Sequence, residues 1–167
     1  MSADATWVAV VGPGTASGGP GTASGEQADA AEAVGAGLAR AGAVLVCGGR
    51  GGAMEAACRG AREAGGTTVG ILPGLDRREA NPYVDVAIPT GLGELRNGLV
   101  VRAADAVIAV AGEYGTLSEI GFALKTGTPV VGLGTWELAR GGERDPGIVV
   151  AADPADAVDR ALALARR

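Results

Sequence analysis

An alternation runs the length of the chain and leaves few architectures open: short β-branched runs, each closed by a glycine-bearing turn, give way to longer runs with helical spacing. Strands rich in Val and Ile that alternate with helices form a parallel sheet covered on both faces. The pattern predicts strands at Thr6 to Val11, Ala43 to Cys47, Thr67 to Ile71, Val84 to Ala87, Ala106 to Val110, Val130 to Leu133 and Ile148 to Ala151. Helices are predicted over about Glu26 to Ala41, Ala53 to Ala64, Gly93 to Ala103, Thr116 to Thr126 and Pro154 to Arg166. The expected fold is α/β: a Rossmann-like, doubly wound, mainly parallel sheet of about seven strands with helices on both faces. Gly42 and Gly65 stand where two of the helices should end with a residue at positive φ, and Asp153-Pro154 reads as an N-cap followed by Pro at the first helical position.

At 167 residues the chain is long enough for one domain with a real core, and 1–167 is expected to be that single domain. Only 3% of residues are aromatic against 47% hydrophobic, so the core must be built from Ala, Val, Leu and Ile. The segments Leu75 to Pro82 and Arg140 to Gly147 are polar connections.

The net charge of −5 and the absence of a Lys/Arg run argue against a nucleic-acid partner. No segment approaches a membrane span and the N-terminus lacks a leader pattern, so a cytoplasmic protein is expected. The chain has no histidine, which removes imidazole bases and the usual zinc sets, and no metal site is expected. Cys47 and Cys58 read as buried small apolar residues.

Ligands of an open parallel sheet bind beyond the carboxyl ends of its strands. Three turns there are rich in glycine: the one that begins at Gly12, the run Gly48-Gly49-Arg50-Gly51-Gly52, and Gly112-Glu113-Tyr114-Gly115-Thr116. Such turns let the main chain approach an anion, and the helix that follows adds a partial positive charge. No one of them is specific alone, and the dinucleotide fingerprint is not cleanly met, because the second predicted strand ends in Cys47 rather than an acid. Glu119 has two readings, a capping box with Thr116 or a ligand contact. Glu113 either occupies the place of a phosphate or turns to solvent. Arg96 and Arg102, six residues apart on one helix, must point in different directions.

Three segments together carry a family resemblance: CGGRGGAMEAACRGA at 47 to 61, the Gly-Ile-Leu-Pro turn at 70 to 73, and RNGLVVRAADAVIAVAGEYGTLSEIGFALKTGTPVVGL at 96 to 133. They resemble the LOG-like (SLOG) superfamily, also known as "possible lysine decarboxylase" proteins, and within it the branch of bacterial Rossmann-fold proteins similar to the molybdenum cofactor carrier protein. The resemblance spans about Val8 to Leu133. It implies that Arg96 and Glu119 correspond to the catalytic pair of the phosphoribohydrolases, that Gly112, Gly115 and Thr116 form a phosphate-binding turn, and that Met54 joins the site with the second turn. It also implies a homo-oligomer, dimer or tetramer. Two departures favour a carrier over a hydrolase: the family's Pro is Ala111 and its second Gly is Glu113, and Glu55 replaces a glycine of the second turn.

Two functions follow as expectations. The first is a binding protein for a small phosphate-bearing ligand, a nucleotide or the molybdenum cofactor, with no cofactor required for chemistry. The alternative is a nucleoside 5′-monophosphate phosphoribohydrolase of the cytokinin-activating type, with Glu119 stabilising an oxocarbenium-like ribose. Lysine decarboxylation is set aside, since the single lysine, Lys125, lies far along a helix from the third turn.

One feature stands outside these motifs. Residues 12–25 repeat the heptad GPGTASG twice, and a capping box at Ser24 and Gln27 exists only for the second copy. The expectation is that the head of the first copy and the tail of the second form the turn, while about Thr15 to Thr22 bulges out as a mobile loop.

Overall fold

The computed structural model describes residues 5–14 and 25–165. Seven strands form one sheet, every pair in it parallel. In chain order these are β1 (Trp7–Val11), β2 (Val44–Cys47), β3 (Thr67–Leu72), β4 (Val86–Pro89), β5 (Ala106–Val110), β6 (Val130–Leu133) and β9 (Ile148–Val150). The helices are α1 (Gly25–Arg40), α2 (Ala53–Glu63), α3 (Asn97–Arg102), α4 (Tyr114–Thr126) and α5 (Pro154–Ala165). The sheet order is β4-β3-β2-β1-β5-β6-β9. The chain therefore winds outward from β1 to one edge, returns to the other side of β1 with β5, and winds outward again.

Both faces of the sheet are covered, which is why its central strands are apolar at every position rather than at every second one. Val8, Val10, Leu45, Cys47, Ile108 and Val110 pack with α1, α2 and α5. Ala9, Val11, Val44, Val46, Val69 and Val107 face Val100 and Val101 of α3 and Ile120 and Ala123 of α4. With so few large side chains the layers must come very close. Where α1 crosses α2, a Cβ added at Gly35 would fall on the Ala57 carbonyl, and one at Gly60 on the Glu32 carbonyl. These two positions need glycine for space, not for torsion, and the Arg59–Glu32 ion pair closes the crossing.

The predicted boundaries hold for most elements and fail in four places. The strand expected at Val84 to Ala87 is β4, two residues later. Asp85 is used first, its Oδ2 accepting the Thr68 N–H at 2.9 Å and its own N–H bonding the Thr68 carbonyl at 3.2 Å. The helix expected over Gly93 to Ala103 is a 3-10 turn, Gly93–Arg96, that runs into the short α3. The connection Arg140 to Gly147 holds a small antiparallel hairpin, β7 (Ala139–Arg140) and β8 (Glu143–Arg144), whose Gly141 and Gly142 have φ of 60° and 87°. Last, α4 starts at Tyr114 with Glu113 as its N-cap, so Thr116 lies inside the helix and the capping box read at Thr116 and Glu119 does not form.

Gly42 and Gly65 adopt the positive φ expected of them, and the Asp153 carboxylate accepts the Asp156 N–H at 2.9 Å. The proposed loop Thr15 to Thr22 and Ser24 of the capping box lie outside the described residues. Among the described residues no helix is long and apolar enough to cross a membrane.

Candidate functional site

The reversal of winding between β1 and β5 leaves a crevice at their carboxyl ends, and a cleft of about 400 Å³ occupies it. Gly12, Pro13 and Gly14 enter from β1, Arg50 and Met54 from the turn and helix after β2, and Pro73 from the end of β3. Glu94, Arg96 and Asn97 come from the 3-10 turn and α3, and Glu113, Gly115, Thr116 and Glu119 from the turn after β5 and α4. A larger groove of about 670 Å³ lies between α1 and α2, but it is lined by helix surface, with Asp29, Glu32 and Glu63, and no strand end reaches it. That groove has one cation, Arg40, whereas the smaller cleft brings strand-end main chain together with two, Arg50 and Arg96.

Its floor is a buried contact between an arginine and a glutamic acid side chain. Arg96 is 6% exposed and Glu119 7%, with Nη1 of Arg96 3.8 Å from Oε1 of Glu119. The same Nη1 donates to Oδ1 of Asn97 at 2.6 Å, and Asn97 in turn donates to Oγ of Ser118 at 3.3 Å, tying α3 to α4. The guanidinium lies flat on Gly48, where a Cβ would come within 2.5 to 2.7 Å of its end atoms. Its Nε is buried with no partner. Orphaned donors of this kind are uncommon in folded proteins and concentrate at functional sites.

Burial pushes the Glu119 carboxyl up to about 8, only partly offset by the attraction of Arg96. At neutral pH it is therefore mostly protonated, and Arg96 sits in the floor as a cation without a full counter-charge. Beneath the second turn, Cys47 and Cys58 are fully buried, as expected, and meet at 3.5 Å. The contact with Cys47, together with burial, raises the Cys58 thiol far above its ordinary range.

Gly12, Arg50, Met54, Arg96, Glu113, Gly115, Thr116 and Glu119 all line the cleft; Gly48, Gly49, Gly51, Gly52, Gly112 and Tyr114 do not. Most of the latter build the walls instead. Gly49 packs on Leu72 and Gly70, Gly52 on Pro13 and Gly14, and Gly112 on Thr116. The Tyr114 ring leans out onto Trp136 with centroids 5.6 Å apart. Arg102 is exposed and Arg96 buried, so the two arginines diverge as their spacing requires. Glu113 lines the cleft and remains exposed, which puts a carboxylate at the mouth of the third turn.

Pro13 and Gly14, the head of the first heptad, line the cleft too, as do Pro73, Glu94 and Asn97, which the sequence does not single out. Pro73 stands directly after a strand, so the strand-end rule was a sufficient signal for it. Asn97 and Glu94 carry no such signal; they arrive because the 3-10 turn places residues 94, 96 and 97 around one opening.

Ala111 is the one non-glycine at positive φ among the described residues, at 50°. Its N–H bonds the Leu133 carbonyl at 3.0 Å and its own carbonyl accepts the Thr135 hydroxyl, so β6 and the loop after it hold the strained residue in place. Proline, whose φ is fixed near −65°, cannot adopt this conformation. The main chain of this turn thus differs from what the family's Pro would require.

A family model described as the SLOG cluster4 family matches residues 5–158. Among solved structures, the molybdenum cofactor binding protein of Rippkaea orientalis superposes with a TM-score of 0.85 at 32% identity, covering 98% of this chain and 99% of that one. The molybdenum cofactor carrier protein of Chlamydomonas reinhardtii superposes with a TM-score of 0.81 at 33% identity, again over 98% and 99%. An uncharacterised protein of Archaeoglobus fulgidus is 46% identical over 86 residues, which is 52% of this chain and 56% of that relative, little more than half its length.

Proposed function

The chain belongs to the SLOG cluster4 family, and from that premise we propose that it is a carrier-type binding protein for a small phosphorylated ligand, the molybdenum cofactor or a nucleotide. The observation that carries this reading is the Arg96 guanidinium, buried in the floor of a cleft open at the β1/β5 reversal, beside a carboxyl that is mostly uncharged at neutral pH. A buried cation short of counter-charge favours an anion from the ligand, and the N-terminus of α4 lends its dipole from the next wall.

The volume of about 400 Å³ lies within the range of small-ligand sites. The lining offers two guanidiniums, an amide, carboxylates and strand-end main chain, donors and acceptors suited to a phosphate and to the polar edge of a heterocycle. In the molybdenum cofactor case the metal is part of the cargo, and these residues would grip the organic portion. The similarity to the molybdenum cofactor binding protein of Rippkaea and the carrier protein of Chlamydomonas supports that choice.

Cleavage of a nucleoside monophosphate is the second reading. Stabilising an oxocarbenium-like ribose requires a negative carboxylate, and a Glu119 that ionises only near pH 8 supplies little of that charge at neutral pH. This weighs for holding over cutting.

The homo-oligomer belongs to the same proposal. Leu95 of the 3-10 turn, Leu99 of α3 and Phe122 of α4 are exposed, and the Phe122 ring lies against Gly98. Glu94 and Arg102, both exposed, stand at opposite ends of this stretch, so a second copy docked antiparallel about a two-fold axis would match acid to base.

Native mass spectrometry and thermal shift with nucleoside monophosphates and molybdenum cofactor test the binding reading. A ligand-dependent rise in melting temperature is expected, and indifference to both ligands overturns it. Release of ribose 5-phosphate from a monophosphate panel would instead establish hydrolysis. Light scattering should give at least a dimer, reduced to monomer by Leu99→Glu; a monomeric parent protein refutes the assembly.

A further inference from the structure

Arg50 lines the cleft, yet its guanidinium is held by a carboxylate that does not. Nη1 of Arg50 lies 2.8 Å from Oε2 of Glu79, with the two side chains 48% and 41% exposed. Glu79 ends the 3-10 turn Arg77–Glu79, whose start is capped by Asp76 accepting the Arg78 N–H at 2.9 Å. The residues that follow strap this turn to the glycine-rich loop after β2. Asn81, 8% exposed, donates its N–H to the Gly49 carbonyl and its Nδ2 to the Arg50 carbonyl, each at 2.9 Å. Its Oδ1 accepts the Tyr83 N–H at 3.0 Å.

The main chain of Arg50 is therefore fixed by the segment that presents Glu79. The carboxylate itself is seated against Gly74, where a Cβ would come within 2.5 to 2.6 Å of both its oxygens. Only the Arg50 side chain is long and exposed enough to change partner.

Charges around the cleft make that change consequential. Arg50 and Arg96 are its cations, against Glu94, Glu113 and Glu119. Arg96 is buried in the floor and fixed there by Asn97 and Glu119, so Arg50 is the cation whose side chain can move to meet an anion that Arg96 draws in. An exposed ion pair is weak, and a phosphate offers a guanidinium two parallel charge-assisted hydrogen bonds in exchange.

We propose that Glu79 is an internal competitor for Arg50: on binding an anionic ligand, Arg50 leaves Glu79 for the phosphate, and on release it returns. Glu79 thereby sets the affinity of the cleft below what its cations could reach, which suits a protein that must give its ligand up. This inference rests on the phosphorylated-ligand reading.

Calorimetric titration of the full chain with ADP, and with adenosine as the phosphate-free control, tests it. Glu79→Gln should tighten ADP three- to tenfold and leave adenosine unchanged, and in an Arg50→Met background the same substitution should gain nothing. A thermal unfolding curve within a few degrees of the parent confirms that the variants are folded. An unchanged or weaker ADP affinity overturns the competitor, as does an equal gain with and without Arg50, which would mark a simple field effect of the rim charge. A parent protein that binds ADP with Glu79→Gln indistinguishable from it refutes the competitor alone. A parent protein that binds no phosphorylated probe, molybdenum cofactor included, refutes the ligand reading and the competitor together.

Discussion

Replacing Glu119 by glutamine should flatten the pH dependence of stability between pH 6 and 9. The carboxyl titrates near 4.5 in the unfolded chain and near 8 in the fold, where burial favours the neutral form. Between about pH 4.5 and 8 the folded state holds a proton that the unfolded chain has lost. This contribution to stability is fully present below about pH 4.5 and is lost as pH rises through about 8. From pH 6 to 9 the loss amounts to about 3 kcal/mol at 1.36 kcal/mol per pH unit over the part of the interval below 8. For a domain of this size that is on the order of 6–12 °C in melting temperature.

The chain has no histidine to titrate in this window, and comparison with Glu119→Gln cancels the groups the two proteins share. Differential scanning fluorimetry at half-unit steps in buffers of matched ionic strength measures it. The parent protein should lose stability steadily from pH 6 to 8 and level off, while Glu119→Gln stays nearly flat. The comparison uses slopes, so a constant offset between the two proteins does not matter. Parallel curves for the two would refute the reasoning, since they would mean that Glu119 is already ionised in the fold at pH 6.

Gly48→Ala should keep the fold but displace the Arg96 guanidinium, which a Cβ would meet at 2.5 to 2.7 Å, and lower affinity for a phosphorylated ligand at least tenfold by titration. Ala111→Gly should stabilise the protein by about 0.5–1 kcal/mol by relieving a left-handed alanine, whereas Ala111→Pro, which also loses the bond to Leu133, should cost about 3 kcal/mol or more in urea denaturation. Gly35→Ala drives a methyl into the Ala57 carbonyl at the α1/α2 crossing and should cost about 3 kcal/mol, seen as a lower urea midpoint with ligand-site chemistry intact at low temperature. Deleting one copy of GPGTASG, a shortening worth only about 0.6 kcal/mol in closure entropy, should leave both melting temperature and ligand binding unchanged.

The architecture was legible because its signals are local. β-Branched runs, glycine after a helix and Asp-Pro before one are properties of neighbouring residues, and β1, β2, β5 and β6 appear within a residue or so of where those signals put them. Local rules failed where a distant partner outbid them. Thr68 takes up Asp85 and delays β4, and Arg96 with its cleft neighbours draws Glu119 inward instead of letting it cap a helix.

The proximity of Arg96 and Glu119 was suggested by family likeness rather than by spacing, since a separation of 23 positions carries no geometric information until the sheet order is known. The Arg50–Glu79 pair was invisible for the same reason. It exists because Asn81 folds a polar connection back over the second turn, and nothing in LDRREANP alone announces that direction.

The packing of glycine against main chain has a consequence for what the cleft admits. Gly52 rests on Pro13 and Gly14, Ala53 N–H bonds the Pro13 carbonyl at 2.9 Å, and Gly12 backs onto the Val110 carbonyl. On the far side, Ala111 is fastened to β6 and the loop beyond it. Along the seam between β1 and β5 the cleft is therefore bounded by peptide groups already in contact, which cannot be trimmed the way a side chain can. Substitutions along the rest of the lining can reshape the cleft through its side chains, but at this seam only a parting of β1 from β5 would widen it, so that boundary is a property of the sheet itself.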